Sequence, residues 1–220
     1  MKREKGIFIT IEGIEGCGKS TQAKMLGKYL GKKGLDVILT REPGGTEIGN
    51  QIRKILLDRK NKKILAVTEL LLYAASRAQH VNEVIAPELA EGKIVVCDRF
   101  SDATTAYQGY GRGLDKKMIS VLDKFSTGGL VPDLTIILDL PEKVGLERAK
   151  RRNREMGISR GEGRIEEEGL VFHRKVRRGY LKIAKDDQKR VKVINALRSM
   201  EEINAEICKE ADKLIKRNFQ

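Results

Sequence analysis

A chain of 220 residues with 40% hydrophobic content has apolar material enough for a core, suits one domain over 1–220, and carries no apolar run able to span a bilayer. Its three cysteines, Cys17, Cys97 and Cys208, are odd in number and far apart, which argues against a disulfide framework or a zinc site and for a reducing cytoplasm. The net charge of +13 admits two readings, a nucleic-acid surface or an enzyme of polyphosphate substrates whose other cations are merely solvated.

Residues 1–5 are charged, and strand residues follow at once, so no signal-peptide core is expected. Ile7 to Ile11 read as a first, short apolar strand. Gly13-Ile14-Glu15-Gly16-Cys17-Gly18-Lys19-Ser20 then fits G-x-x-x-x-G-K-[ST] in full, with Thr21 behind it. Met25, Leu26, Tyr29 and Leu30 share one face at helical spacing, so the motif lies between a strand and a helix, where a phosphate cradle belongs. Its glycines let backbone N–H groups converge on phosphate oxygens, and the helix dipole favours the negative charge. Lys19 is expected to reach the β- and γ-phosphates of a nucleoside triphosphate, and the Ser20 hydroxyl to ligate Mg2+.

Gly34 ends that helix, and Val37 to Thr40 form the second expected strand. Ile94 to Cys97, Leu134 to Leu138 and Val191 to Ile194 make the third, fourth and fifth. Continuous β-branched runs, without polar alternation, indicate strands buried on both faces of a parallel sheet. Leu114, Met118, Val121, Leu122 and Phe125 line one helical face; Ile203, Ile207, Ala211 and Leu214 line another. Strands alternating with helices predict a three-layer α/β fold with a five-stranded parallel sheet. The irregular segment at about 153–163 reads as a lid between two helices. From Arg148 to Arg178 there are 11 Lys and Arg against five Glu, with Phe172 the sole aromatic, which suits a phosphate clamp better than a base-stacking platform. No DNA- or RNA-binding motif is present, so no specific nucleic-acid partner is expected.

In an open parallel sheet, ligands sit beyond the carboxyl ends of the strands. Residues Arg41 to Thr46, Asp98 to Phe100, and Asp139 to Pro141 all fall there. Asp98 is placed either to assist Mg2+ or to cap a helix or pair with Arg99. Arg99 has the planar fork that suits phosphate. Arg151, Arg152 and Arg154 through Arg160 and Arg164 supply cations for a phosphoryl-transfer lid that also excludes water. Tyr73, taken by itself, reads as an ordinary core aromatic on an amphipathic helix. Thr104 and Tyr107, taken by themselves, also admit the readings of a helix cap and a packing residue.

Five stretches together resemble the thymidylate kinase family nearly end to end. They are Glu12 to Thr21, Thr40-Arg-Glu-Pro-Gly-Gly-Thr46, Leu71-Leu-Tyr-Ala-Ala-Ser-Arg77, Asp98-Arg99-Phe100 with Ala106-Tyr-Gln-Gly109, and Pro132 to Asp139 with Arg164-Ile-Glu166. The resemblance implies a P-loop nucleoside monophosphate kinase fold, ATP and dTMP as substrates, Mg2+, a cytoplasmic homodimer and no membrane. It implies that Tyr73 stacks on thymine, Arg77 bonds a base carbonyl, Thr104 reads the base edge and Tyr107 crowds the sugar 2′ position. Arg53, Gln108 and Arg99 join them on the acceptor, and Glu15 contacts the sugar or the magnesium region. Gly16 stands where some members carry a catalytic arginine, so the resemblance is to the bacterial kind, with Arg160 and Arg164 acting from the lid. Gly163 and Ala103 depart from the acidic residue and the serine expected there. A phosphate acceptor needs no general base, so His80 and His173 are read as surface or packing residues. The remaining readings are another nucleoside or nucleotide kinase, or a P-loop ATPase stimulated by nucleic acid. For the dimer, the apolar faces at 67–73 and 114–125 are the expected contacts.

Overall fold

The computed structural model describes residues 6–155 and 163–218. Most of the expected lid, with Arg160, lies outside the described residues. In chain order the elements are β1 (Ile7–Glu12), α1 (Lys19–Lys32), β2 (Val37–Arg41), α2 (Glu47–Leu57) and α3 (Ala66–His80). A wide π-helical segment (Val81–Ile85) leads from α3 into α4 (Ala86–Ala90), and β3 (Ile94–Asp98) follows. Next come α5 (Ser101–Thr104), a second π-helical segment (Thr105–Gly111), α6 (Lys116–Thr127), β4 (Leu134–Asp139) and α7 (Glu142–Glu155). The chain closes with α8 (Leu170–Asp186), β5 (Val191–Asn195) and α9 (Met200–Asn218).

The five strands form one sheet in the order β2-β3-β1-β4-β5, and every pairing is parallel. Each strand runs one residue further than its apolar run, to Glu12, Arg41, Asp98, Asp139 and Asn195. The ladder explains this: Ile11 and Arg41 both register against Asp98, and Asp139 against Asn195, so backbone pairing continues after the side chains turn polar. The carboxyl edge of the sheet is therefore lined with charge, while its body is apolar.

Side chains alternate across the sheet with period two. Ile7, Ile9 and Ile11 enter the larger core cluster with Leu26, Leu30, Ile136 and Ile207. Phe8 enters a second cluster with Val81, Ile85, Val95, Cys97 and Phe100. Apolar packing thus covers both faces, as the continuous strand runs require. All three cysteines are buried and free. Thr10 is fully buried in β1, where its hydroxyl meets Thr135 Oγ1 at 2.8 Å. Thr135 in turn donates to Asp102, which Arg190 clamps from the other side, so the buried polar atoms are paired.

The α9 stripe behaves as its spacing predicts, with Ile203, Ile207 and Ala211 buried and Leu214 packed against the core. The α6 stripe does not pack inward. Met118, Val121 and Phe125 face outward, Phe125 at 85% exposure, and α6 buries Ile119, Ser126 and Thr127 instead. Periodicity identifies an apolar face but not its partner. On α3, which packs beside α6, Val67 and Leu71 are exposed as well.

Candidate active site

The strand order reverses at β1, so the carboxyl ends of β1 and β3 flank the crevice where an open α/β sheet takes its ligand. A cleft of about 580 Å³ lies there, running from Gly16, Lys19 and Ser20 at one end to Tyr73, Thr104 and Gln108 at the other.

The phosphate end is built by backbone. Gly13, Gly16 and Gly18 all have positive φ, at 136°, 71° and 96°. Gly18 starts α1 with no side-chain cap, whereas Thr46 caps α2 and Asp115 caps α6. The first-turn N–H groups of α1 are left for an anion. Lys19 is buried and donates to Ile14 O at 2.7 Å across the loop. Thr21 lines the cleft beside Ser20. The Ser20 hydroxyl donates to Asp98 Oδ2. Asp98 thus takes Ser20, while the hydrogen bonds of the Arg99 guanidinium go to other groups. Two hard oxygen donors side by side suit a cation that completes its shell with phosphate and water. Among the described residues no group of three acidic, His or Cys side chains is placed to hold a metal alone.

Gly16 has a second constraint. A Cβ there would stand 2.0 Å from Gly145 O, and one on Gly145 would stand 2.5 Å from Glu15 O. The loop lies directly on the first turn of α7, and no side chain fits at position 16 on this backbone.

Arg99 joins the two ends of the cleft. Its φ of 73° is the sole positive value at a non-glycine among the described residues, a conformation that costs about 1–3 kcal/mol. The guanidinium donates to Gly13 O, Tyr180 Oη, Glu15 Oε1 and Tyr107 Oη, at 2.8 to 3.1 Å. Tyr107 also donates to Glu15 Oε1 at 2.6 Å. Burial by itself would raise the Glu15 carboxyl; Arg99, His173 and Lys19 outweigh it and hold Glu15 well below the usual carboxylate range. Glu12, on β1 just before the loop, behaves oppositely. Burial first, then the charge of Asp102, pushes it up to about 8, against Arg99, Tyr180 and the Phe100 N–H.

At the far end, Tyr73 from α3 and Thr104 from α5 line the cleft. Thr104 Oγ1 is buried and without a hydrogen-bond partner. Arg53 lines the wall, with Nη1 on Pro43 O at 3.1 Å. Arg77 lines the cleft but is nearly spent: Nε donates to Glu42, Nη1 to Asp123 and Nη2 to Phe100 O. Truncating it would strand the buried Glu42 and the half-buried Asp123, a loss of about 3–5 kcal/mol, so Arg77→Ala tests folding as much as binding. Arg164 is 5% exposed and bound to Leu56 O and Glu69, not to the phosphate loop. Gly163 before it has φ 137°, which excludes the acidic side chain expected at that position.

Several residues were not legible as site residues. His80 and His173 are neither surface nor simple packing groups: both are fully buried against carboxylates, Glu42 and Glu15 respectively. His80 also meets Thr40 Oγ1 at 2.6 Å. His173 Nδ1 lies 3.2 Å from Glu15 Oε2, at ion-pair distance though outside hydrogen-bond geometry. Glu69, Glu42 and Tyr180 anchor the arginines, and Arg148 of α7 lines the cleft beside Arg151 and Arg152. A lone His or Glu on a helix carries no sequence signal for a partner distant in the chain.

Gly16→Ala should lower the melting temperature and weaken ATP binding at least about tenfold, because strain and the Gly145 contact act together. Gly31→Ala, in open space on α1, should leave both nearly unchanged. Thermal melts with nucleotide titration compare the two. A separate outcome concerns Glu12, since a carboxyl raised from 4.5 to about 8 adds stability in full below pH 4.5 and loses it as pH rises through 8. A glutamine side chain at position 12 does not titrate, so Glu12→Gln should gain on wild type across that window, by more than about 1.4 kcal/mol, one pKa unit's worth. Urea midpoints from pH 5 to 9 read this; parallel profiles would refute it.

Comparison with known proteins agrees with this cleft. The profile of the family described as thymidylate kinase matches residues 11–207. A thymidylate kinase of Geotalea uraniireducens is 54% identical over 202 residues, covering 92% of this chain and 94% of the relative. One from Desulfovibrio desulfuricans is 50% identical over 197 residues, covering 90% and 91%. The crystal structure of thymidylate kinase from Ehrlichia chaffeensis superposes with a TM-score of 0.74 at 34% identity, over 94% of this chain and 98% of that one. With a phosphate loop, a cleft at the switch point and likeness over nearly its whole length, the chain belongs to the thymidylate kinase family.

Proposed function

We propose that this protein transfers the γ-phosphoryl group of ATP to dTMP, giving ADP and dTDP, a step of dTTP synthesis. The observation that carries this reading is Arg99, whose one guanidinium bridges the phosphate-loop carbonyl of Gly13 to the acceptor-side pair Glu15 and Tyr107. Donor and acceptor phosphates would meet at that group.

ATP would lie with its phosphates over Gly13 to Thr21, with Lys19 released from Ile14 O to the β- and γ-phosphates. Ser20 and Asp98 would hold Mg2+, which when bound supplies positive charge against the phosphates. Glu15 is kept ionised to accept a sugar hydroxyl, and Tyr107, pinned by Glu15 and Arg99, forms a rigid wall at the 2′ position. Tyr73 provides the face for thymine, Thr104 offers its unused hydroxyl to the base edge, and Arg77, Gln108 and Arg53 line the pocket. The attacking group is a phosphate oxygen, already anionic near neutral pH with a second pKa of about 6, so no base is required. Arg148, Arg151 and Arg152 of α7 line the cleft where charge would develop, and Arg160, outside the described residues, is kept as a further cation for it. Arg164, just beyond the segment at about 153–163, is held to α3 through Glu69.

The exposed apolar side chains of α3 and α6 support a homodimer, and the three free, buried cysteines suit the cytoplasm. Among the described residues no helix is long and apolar enough to cross a membrane.

ADP release measured with dTMP, dUMP, dCMP, AMP, GMP or single-stranded DNA tests the activity. The strongest response is expected with dTMP; DNA-stimulated hydrolysis, or a dTMP response no greater than the rest, would refute it. Phe125→Glu should shift the sedimentation coefficient from dimer to monomer without unfolding the chain. A wild-type monomer would remove the dimer from the proposal.

A further inference from the structure

Glu69 lies on α3 one turn before Tyr73 and is fully buried. Four donors converge on its carboxylate. Gln108 Nε2 and Arg112 Nε reach Oε1 at 2.8 and 3.0 Å. Arg112 Nη2 and Arg164 Nη2 reach Oε2 at 3.0 and 2.6 Å. Burial would raise this carboxyl, but Arg112, Gln108 and Arg164 outweigh it and hold it below its ordinary value. Two guanidinium groups on one buried carboxylate keep it an anion, and a carboxylate anion only accepts hydrogen bonds.

That fixes the amide of Gln108. The oxygen and nitrogen of a glutamine are nearly the same shape, and the partner decides which way the group lies. Turned over, Gln108 would set its carbonyl oxygen against Glu69 Oε1 at hydrogen-bond distance, two acceptors with no proton between them. With Nε2 committed to Glu69, Oε1 is the amide atom left for the cleft that Gln108 lines.

We infer that Glu69 is a positioning residue for base selection: it locks Gln108 so that the cleft presents a carbonyl oxygen, and not an NH2 group, to the pyrimidine. This rests on the placement of the base between Tyr73, Thr104 and Gln108 proposed above. Thymine and uracil carry a proton on N3 and satisfy an acceptor there. Cytosine has a lone pair at N3, so the locked amide meets acceptor with acceptor, and an unpaired buried polar group is what makes such a site reject an analogue. The lock therefore reads the N3 proton and is indifferent to the 5-methyl group: dUMP passes it and dCMP fails.

The test is the ratio of kcat/KM for dTMP over dCMP in wild type, Glu69→Gln, Gln108→Met and the double variant. A neutral amide at position 69 lets the Gln108 amide turn, so Glu69→Gln should lower the ratio at least about tenfold, with dTMP over dUMP unchanged. Gln108→Met should lower it too, and adding Glu69→Gln to Gln108→Met should lower it no further. A purely structural Glu69 would slow both substrates in proportion; an unchanged ratio in Glu69→Gln, with Gln108→Met lowered, overturns the inference. An unchanged ratio in Gln108→Met overturns the base placement instead. Should Glu69→Gln fail to fold, NMR of the wild-type complex with dTMP decides. A coupling through the hydrogen bond from Gln108 Nε2 to the Glu69 carboxyl carbon supports the lock, and its absence overturns it.

Discussion

The left-handed turn at Arg99 is the constraint on which the rest of the site depends. A guanidinium placed by that turn accounts for four otherwise costly features. It satisfies Gly13 O, it neutralises Glu15, and it ties Tyr107 and Tyr180 to the carboxyl end of β1. Without that charge the buried Glu15 would lose the cation that most strongly keeps it ionised and would rely on Tyr107, His173 and Lys19. Strain of about 1–3 kcal/mol in one residue is offset by charge-assisted bonds of about 1.5–3 kcal/mol each. The turn itself is held by the sheet, since Arg99 N–H donates to Ile11 O at 3.0 Å, continuing the β1–β3 ladder one residue further.

A similar logic of spent donors organises the rest. Arg77, Arg112 and Arg164 are each committed to carboxylates, the buried Glu42 and Glu69 and the half-buried Asp123. These pairs fix where α3, α6, the end of the second π-helical segment and Arg164 stand relative to the cleft. The π-helical turn at Thr105–Gly111 carries Tyr107 and Gln108 toward Glu15 and Glu69, and such widened turns often occur where side chains must be re-aimed. The donor side is set by backbone contact, Gly16 against Gly145, so the loop and the arginine-bearing helix α7 are packed backbone against backbone.

Much of the fold is legible in the chain because its causes are local. A strand buried on both faces has to be apolar throughout, and all five strands appear at the expected places, short by one polar residue each. The apolar stripe of α9 is legible for the same reason, and so is its burial. The stripe of α6 has the same spacing, yet it faces outward, because the buried side of α6 is fixed by Ile119 and by the reach of Asp123 to Arg77. Gly163 illustrates the converse. Its departure from the family pattern has a backbone cause, a φ of 137°, which no composition or spacing displays.

The sequence by itself determined the phosphate loop, the parallel α/β sheet and the set of residues at its carboxyl edge, since turns, strand runs and helix starts depend on neighbours a few positions away. Only the tertiary structure decided which charges are free and which are used. Arg164 and Glu69 lie 95 positions apart, and Arg99 and Glu15 lie 84 apart. A guanidinium has the same sequence signature whether it faces a phosphate or a buried carboxylate, and the choice is made by what the fold brings within about 3 Å of it.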